Sequence, residues 1–150
     1  MGELRVENDL IGGIAAQLDL RPPNTAALET LVYELSQHYD VRRRPRPFEG
    51  VIVSATAMGK TYIIAAAIDY YAAVGSRNVA VITPGRTILK KTVNNFTLGH
   101  PKSLLPGMSV RPVVITSENF ATPAMRAAMD DEGTTKLFVF TVQALLKPET

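Results

Sequence analysis

Residues 51–61 read Val51-Ile-Val-Ser-Ala-Thr-Ala-Met-Gly-Lys-Thr61, and this stretch decides the fold of the chain. The run Val51–Val53 is β-branched throughout and predicts a short buried strand. The mostly apolar run from Thr61 to Val74 predicts a buried helix that Gly75 ends. A turn of small residues between a strand and a helix directs backbone N–H groups at an anion. The stretch therefore predicts a phosphate-binding loop.

The residues of this loop are of the types that bind the phosphates and the metal ion of a nucleoside triphosphate. Gly59 lets the backbone approach the phosphates, Lys60 reaches the β and γ oxygens, and the Thr61 hydroxyl suits Mg²⁺. Lys60 and Thr61 are the candidate catalytic residues, and the loop backbone is expected to bind nucleotide along Thr56, Ala57, Met58, Gly59, Lys60, Thr61 and Tyr62. The usual pattern has glycine at Ser54. Alternatively, Gly-Lys-Thr opens an ordinary helix that Thr56 caps.

Further apolar runs alternate with helical stretches along the rest of the chain. Strands are expected at Val79–Ile82, Val110–Thr116 and Leu137–Thr141, with helices at 87–96 and 121–129. Pro112 cannot donate to a ladder, so its strand must bulge or begin pairing after it. Short strands separated by helices predict a mostly parallel sheet that helices cover on both faces.

The residues before the loop predict a helix and a connector. Apolar residues recur at helical spacing from Leu28 to Leu35, so a helix is expected from Asn24, as its cap, to about Tyr39. The segment Val41–Phe48 contains two prolines and four arginines and predicts an exposed connector. Its arginines are interpreted as a solvated linker rather than as phosphate contacts.

Bulk composition narrows the class of protein. A chain of 150 residues with 46% hydrophobic and 20% charged residues fits one globular domain, and a net charge of +2 alone does not indicate nucleic acid. The absence of cysteine excludes disulfides and Cys-ligated metal and fits a cytoplasmic location. The amino terminus does not resemble a signal peptide, and no apolar run is long enough for a membrane span, so no membrane partner is expected.

Two segments resemble a known family. Ala55–Thr61 resembles motif I of superfamily 2 helicases, usually written A/P-T-G-x-G-K-T, with Ala57 at the middle glycine. Leu20-Arg-Pro-Pro-Asn24 resembles the L-R-P-Y-Q stretch that begins the motor domain of restriction-enzyme and repair-type helicases. The resemblance implies that Asn24, at the glutamine position, reads the adenine edge. The alternative is that Asn24 only caps its helix.

Two later segments follow in the order of the same family. Val79–Leu89 resembles motif Ia, which implies that Pro84, Gly85 and Arg86 lie along a nucleic-acid backbone. Leu137–Gln143 resembles the strand and Thr-x-Gln of type III restriction subunits, the Ib region, which implies that Thr141 faces the bound strand. Read without the resemblance, the first is a scaffold turn and the second a strand leading into a helix.

The resemblance implies a P-loop NTPase of the RecA-like type, a three-layer α/β/α domain incomplete at its carboxyl end. Residues 1–19 would be an extension, and residues 20–150 part of the first motor domain. The implied ligands are ATP, Mg²⁺ and nucleic acid, DNA before RNA, and the implied partner is a second RecA-like domain of the same parent. The parent would be an ATP-dependent helicase or translocase of the restriction-modification type.

The acidic motif that hydrolysis requires is not recognised in this sequence. Asp130-Asp-Glu132 follows a helical run rather than a strand and is interpreted as a solvated helix end. The chain stops at Thr150, before that motif is expected, so nucleotide binding with little hydrolysis is the expectation. Two alternatives stay open: a P-loop kinase or other NTPase that does not act on nucleic acid, and a degenerate nucleotide-binding module.

Overall fold

The computed structural model describes residues 4–54 and 57–146, without the side chains of Ala57 and Met58. The chain forms two compact units, Met1–Ser76 and Arg77–Thr150. The regular elements in the described part of the first unit are all helices, and the second unit holds a small parallel sheet with helices. The predicted α/β class and parallel sheet are confirmed, as an incomplete fold of the RecA-like type.

The first unit contains three α-helices in its described residues. They are α1 (Asn8–Gln17), α2 (Pro22–Ser36) and α3 (Ala57–Ala73), and a π-helical turn, Gln37–Val41, follows α2. Leu28 and Val32 of α2 are fully buried, which confirms the apolar face expected from their spacing. None of the helices in residues 4–54 and 57–146 has the length and apolar character of a membrane span.

The start of α2 differs from the prediction. Arg21 is its N-cap residue, in an extended conformation, and Pro22 and Pro23 occupy the first turn. Proline suits these positions because its φ angle is already helical and the first-turn N–H groups have no partner within the helix. Asn24 is therefore the third residue of the helix, and the prediction that it caps α2 is wrong.

Helix α3 is the buried helix expected after the loop. Its fully buried residues include Ala65, Ala66 and Tyr70. The helix ends where Gly75 adopts a φ of +101°, and the N–H of Ser76 bonds the carbonyl of Tyr71 at 2.7 Å. That bond is the closing bond of a Schellman motif, so the predicted role of Gly75 as helix stop is confirmed.

The strand predicted at Val51–Val53 is wrong. These residues form no regular secondary structure, and Val51 and Val53 are 90% and 92% exposed. The β preference of branched residues reflects packing on a pleated, half-buried surface, and three exposed residues have no such packing. The helix that follows begins at Ala57 rather than at Thr61.

The arginine-rich connector is confirmed. The residues between the π-helical turn and Val51 form no helix or strand, and the arginines in the connector are all exposed. Two prolines in this segment remove backbone donors and resist a helix.

The second unit is built on three parallel strands in the order β1-β3-β2. The strands are β1 (Asn78–Thr83), β2 (Val113–Thr116) and β3 (Lys136–Thr141), with Thr83 opposite Thr141 and Thr116 opposite Val139. The other elements are α4 (Arg86–Asn95), a 3₁₀ turn (Leu105–Gly107), α5 (Pro123–Asp130) and α6 (Val142–Leu145). Ile115, Leu137 and Val139 are fully buried and form the centre of this unit.

Strand β2 begins one residue after Pro112. The N–H of Val113 bonds the carbonyl of Thr135 at 2.8 Å, which is the first bond that this strand can donate. The prediction that pairing starts after the proline is confirmed, and its cause is the missing N–H of Pro112.

Candidate functional site

The three strands of the second unit all end in threonine, at Thr83, Thr116 and Thr141. Because the strands are parallel, these ends lie at the same edge of the sheet, where ligands bind in open α/β folds. A cleft of about 820 Å³ lies there, and it is lined by Gly85, Arg86, Leu89, Lys90, Val93, Val114, Thr116, Ser117, Glu118, Asn119, Thr141, Gln143 and Ala144.

One wall of the cleft is the first half of α4. Gly85 is the N-cap residue, and because it has no side chain, the first-turn N–H groups receive no side-chain cap. Arg86 and Lys90 are exposed and lie four residues apart, on the same face of the helix. The helix dipole adds partial positive charge at the same end. This wall suits an anionic ligand.

Thr141 lies at the junction of β3 and α6. Its hydroxyl oxygen accepts the N–H of Ala144 at 3.1 Å and so caps α6. This is the scaffold role expected of a strand that leads directly into a helix. The hydroxyl proton is not used in that bond, so the same side chain is able to donate to a ligand in the cleft.

The turn that contains Pro84 is held by two side chains. The Nε2 atom of Gln143 donates to the carbonyl of Pro84 at 3.1 Å. Thr83 is buried, with 2% of the residue exposed. Its hydroxyl lies 3.3 Å from the carbonyl oxygen of Gly85 and 3.4 Å from the carbonyl oxygen of Phe140. The residues from Pro84 to Arg86 are therefore tied to the end of β3.

The loop after β2 is a part of the cleft that sequence reasoning missed. The side chain of Asn119 accepts the N–H of Thr116 at 2.8 Å and donates to the carbonyl of Val114 at 3.1 Å. This turn places Ser117 and Glu118 at the cleft. The sequence could have indicated these two residues, because they directly follow a predicted parallel strand. Residues in that position lie at the same edge of the sheet as the ends of the other strands.

The predicted phosphate-binding residues lie in the first unit, at the start of α3. Gly59 is buried, Lys60 is exposed, and Thr61 and Tyr62 are half-buried, all within the first two turns. Ala57 and Met58 lie in the same helix, whereas Thr56 lies outside the described residues. Lys60 and Thr61 are the fourth and fifth residues of α3, close to a helix N-terminus, where the helix dipole favours a phosphate.

The acidic residues after α5 form a local turn. Asp131 accepts the hydroxyl of Thr134 at 2.8 Å and the N–H of Gly133 at 2.9 Å. The bond from Thr134, followed by that from Gly133, lowers the pKa of Asp131 below its ordinary value. The cluster is thus an exposed helix end, as predicted. Within the described residues, no group of three or more His, Asp or Glu side chains is placed to hold a metal ion.

Comparison with known families now identifies the chain. The family described as type III restriction enzyme, res subunit, matches residues 17–150. The chain belongs to this family. As a restriction-enzyme res-type domain it is an ATP-binding, helicase-like module at the level of the family. No significant match to this res-type domain was found among curated proteins or among solved structures.

Proposed function

We propose that the chain is the nucleotide- and strand-binding front part of an ATP-dependent motor that acts on nucleic acid. ATP binds at the start of α3, and a single strand lies in the cleft where β1, β3 and β2 end. Residues 20–150 form the first motor domain, with residues 1–19 as an extension, and a second RecA-like domain completes the nucleotide site.

One observation carries the strand-binding part of this proposal. Gly85 and Arg86 come from one segment of the chain and Thr141 from another, and all three line the same cleft. Pro84 is bonded to Gln143 at its edge. These two segments resemble two motifs that bind the same strand in one family. Their position at one cleft therefore supports a shared role, which two distant segments could not have. Arg86 and Lys90 offer phosphate contacts, which position a strand without reading its sequence.

The nucleotide part rests on the residues at the start of α3. Gly59 gives close backbone approach, Lys60 contacts the β and γ phosphates, and the Thr61 hydroxyl is a ligand for Mg²⁺. Asn24, half-buried in the first turn of α2, is the proposed adenine contact. Bound nucleotide supplies the free energy of hydrolysis that drives such motors.

Little hydrolysis is expected from this chain alone. Its three strands end in threonine, and the one carboxylate among the described residues that line the cleft, Glu118, lies in the loop after β2 rather than at a strand end. The same observation favours a second candidate function, a module that binds nucleotide without turnover. ATPase activity that a single strand stimulates would exclude that candidate. The family match favours both over a P-loop kinase.

The natural polymer is proposed to be DNA, in a restriction-modification context, and the location to be cytoplasmic. The restriction context rests on the family, and the location rests on the absence of cysteine. A direct comparison of DNA and RNA strands of equal length and composition tests the choice of polymer.

A strand-binding measurement tests the cleft. We expect a fluorescently labelled oligothymidylate to bind the full chain, with affinity that falls as salt rises. Arg86→Ala should weaken binding about tenfold to a hundredfold, since a hydrogen bond to a charged group contributes about 1.5–3 kcal/mol.

Arg111→Ala is the matched control. Arg111 is exposed and precedes β2, at the opposite end of the sheet from Arg86. The two variants lose the same charge from the same unit. If both substitutions weakened binding equally, the strand would not bind in the cleft as proposed, because binding would then depend on overall charge alone.

A further inference from the structure

A hydrogen bond between residues far apart in the sequence, from the side chain of Gln143 to the carbonyl of Pro84, lies at the edge of the cleft. The proposed function gives this bond no role. Gln143 is exposed, yet its Nε2 atom lies 3.1 Å from the carbonyl oxygen of Pro84. The bond joins the second residue beyond β3 to the first residue beyond β1. It therefore crosses between two strand ends that carry different predicted strand contacts, Thr141 and Arg86.

The turn that this bond reaches is only partly determined by its own residues, because the ring of Pro84 fixes its φ but leaves its ψ and both backbone angles of Gly85 free. Pro84 has no backbone donor, and Gly85 has no side chain. A Cβ atom at Gly85 would meet nothing within 4 Å, so packing does not restrain this residue either. Its extended conformation, φ −168° and ψ 175°, sets the direction in which α4 leaves the sheet.

The restraint is supplied from outside the turn, on both sides of the Pro84–Gly85 peptide. The buried hydroxyl of Thr83 reaches the carbonyl of Gly85 at 3.3 Å, and Gln143 holds the carbonyl of Pro84. The carbonyl of Gly85 also accepts the first bond of α4, from the N–H of Leu89 at 3.0 Å. Moving this peptide would shift the start of α4 and the side chain of Arg86.

Gln143 lies in a helix that Thr141 caps. The Thr141 hydroxyl caps α6, and Gln143 is the second residue of that short helix. The capped helix α6 thus carries Gln143, whose side chain bonds the carbonyl of Pro84 in the turn before α4.

We propose that Gln143 is a positioning residue: through the carbonyl of Pro84 it holds the Pro84–Gly85 turn so that Arg86 and the N-terminus of α4 face the bound strand. The proposal rests on the proposed function of the cleft. It differs from a direct contact, in which Gln143 would itself bind the strand and act independently of Arg86.

The first experiment is a double-mutant cycle on the full chain with labelled oligothymidylate. Gln143→Met keeps the length of the side chain and removes its donor. It should weaken binding about threefold to tenfold, the effect of losing one hydrogen bond. It should also reduce the salt slope by about 0.7, which corresponds to one phosphate contact on a single strand. In the Arg86→Ala background, Gln143→Met should weaken binding by a smaller factor than in the unmodified chain, because only the N-terminus of α4 is left for Gln143 to position.

The outcomes separate the two proposals. Additive effects of the two substitutions would mean that Gln143 does not act through Arg86 and would overturn the positioning role, as would unchanged binding by Gln143→Met. If Arg86→Ala behaved like Arg111→Ala, or if the unmodified chain bound no strand, the proposed function would fail and the inference would fail with it.

A measurement without nucleic acid makes the test independent of strand binding. Hydrogen exchange at the Leu89 amide reports on the carbonyl of Gly85, its acceptor. Gln143→Met should speed exchange at Leu89 about threefold or more, by releasing the turn, and leave the amide of Phe96 at the other end of α4 unchanged. Equal acceleration at both amides would indicate general loosening of α4, and no acceleration at Leu89 would show that Gln143 does not hold the turn; either result overturns the proposal.

Discussion

The Oδ1 atom of Asn119 accepts the backbone N–H of Thr116 at 2.8 Å, which folds the loop after β2 back onto the last residue of the strand. The same side chain donates to the carbonyl of Val114 at 3.1 Å. We expect Asn119→Ala to lower the free energy of unfolding by about 1–3 kcal/mol, because two partly buried backbone groups lose their partner. Urea unfolding measures the change.

The neighbouring Ser117 provides the control for this prediction. Ser117 is exposed, and Ser117→Ala should change the free energy of unfolding by less than about 0.5 kcal/mol. If Asn119→Ala were as mild as Ser117→Ala, the loop after β2 would not depend on the side chain of Asn119.

A second prediction concerns the hydroxyl of Tyr70, whose side chain is fully buried in α3. It donates to the carbonyl of Arg5 and accepts the N–H of Glu7 at 3.0 Å. Tyr70→Phe removes both bonds and should lower the free energy of unfolding by about 1–3 kcal/mol. Tyr33→Phe, at a residue that is 52% exposed, should leave the unfolding midpoint unchanged. Equal midpoints for the two variants would contradict the anchoring of the amino-terminal segment by Tyr70.

A third prediction uses the glycines of α1. Gly12 and Gly13 lie inside this helix, and a Cβ atom at either would meet nothing within 4 Å. Alanine at each should raise the free energy of unfolding by about 0.5–1 kcal/mol, because alanine loses less backbone entropy on folding.

Gly75 gives the opposite expectation for the same substitution. Its φ of +101° is unfavourable for alanine, so Gly75→Ala should destabilise the protein by about 1 kcal/mol or more. Thermal unfolding of the three alanine variants, at Gly12, Gly13 and Gly75, measures both the expected gain and the expected loss of stability. If Gly12→Ala lowered the stability, the added Cβ atom would have to meet a neighbour, which would contradict the free space found around Gly12.

A fourth prediction follows from the depressed pKa of Asp131. A carboxyl group whose pKa is lower in the folded state adds stability above its unfolded pKa, and that stability is lost as pH falls through the folded pKa. Carboxyl NMR titration should place Asp131 below the ordinary aspartate range. Thr134→Val removes the largest cause of the shift and should return the pKa toward that range. An ordinary value in the unmodified chain would contradict the turn seen at residues 131–134.

The sequence predicted elements whose cause is local. Runs of branched and aromatic residues predicted β1 and β3, because their side chains are packed on a sheet. Pro112 and Gly75 marked the start of β2 and the end of α3 through single backbone properties, a missing N–H and a positive φ. In each case the deciding information lies within a few residues of the element.

The errors arise where local signals compete or where tertiary contact decides. Asn24 favours a cap, but two preceding prolines start α2 earlier. Val51–Val53 has the composition of a strand but is largely exposed. The bond from Gln143 to Pro84 and those of Asn119 depend on how strand ends meet, which no local pattern encodes. Of the predicted strand-contact residues, Gly85, Arg86 and Thr141 do share one cleft.

Calorimetric titration of the full chain with Mg-ATP tests the central claim most directly. The account predicts measurable heat of binding for the unmodified chain and for Lys91→Ala, which removes an exposed lysine of α4 that does not line the cleft. Lys60→Ala should bind about tenfold to a hundredfold more weakly, since a hydrogen bond to a charged group contributes about 1.5–3 kcal/mol. Affinity for Mg-ATP that is the same in Lys60→Ala and in Lys91→Ala would contradict the account.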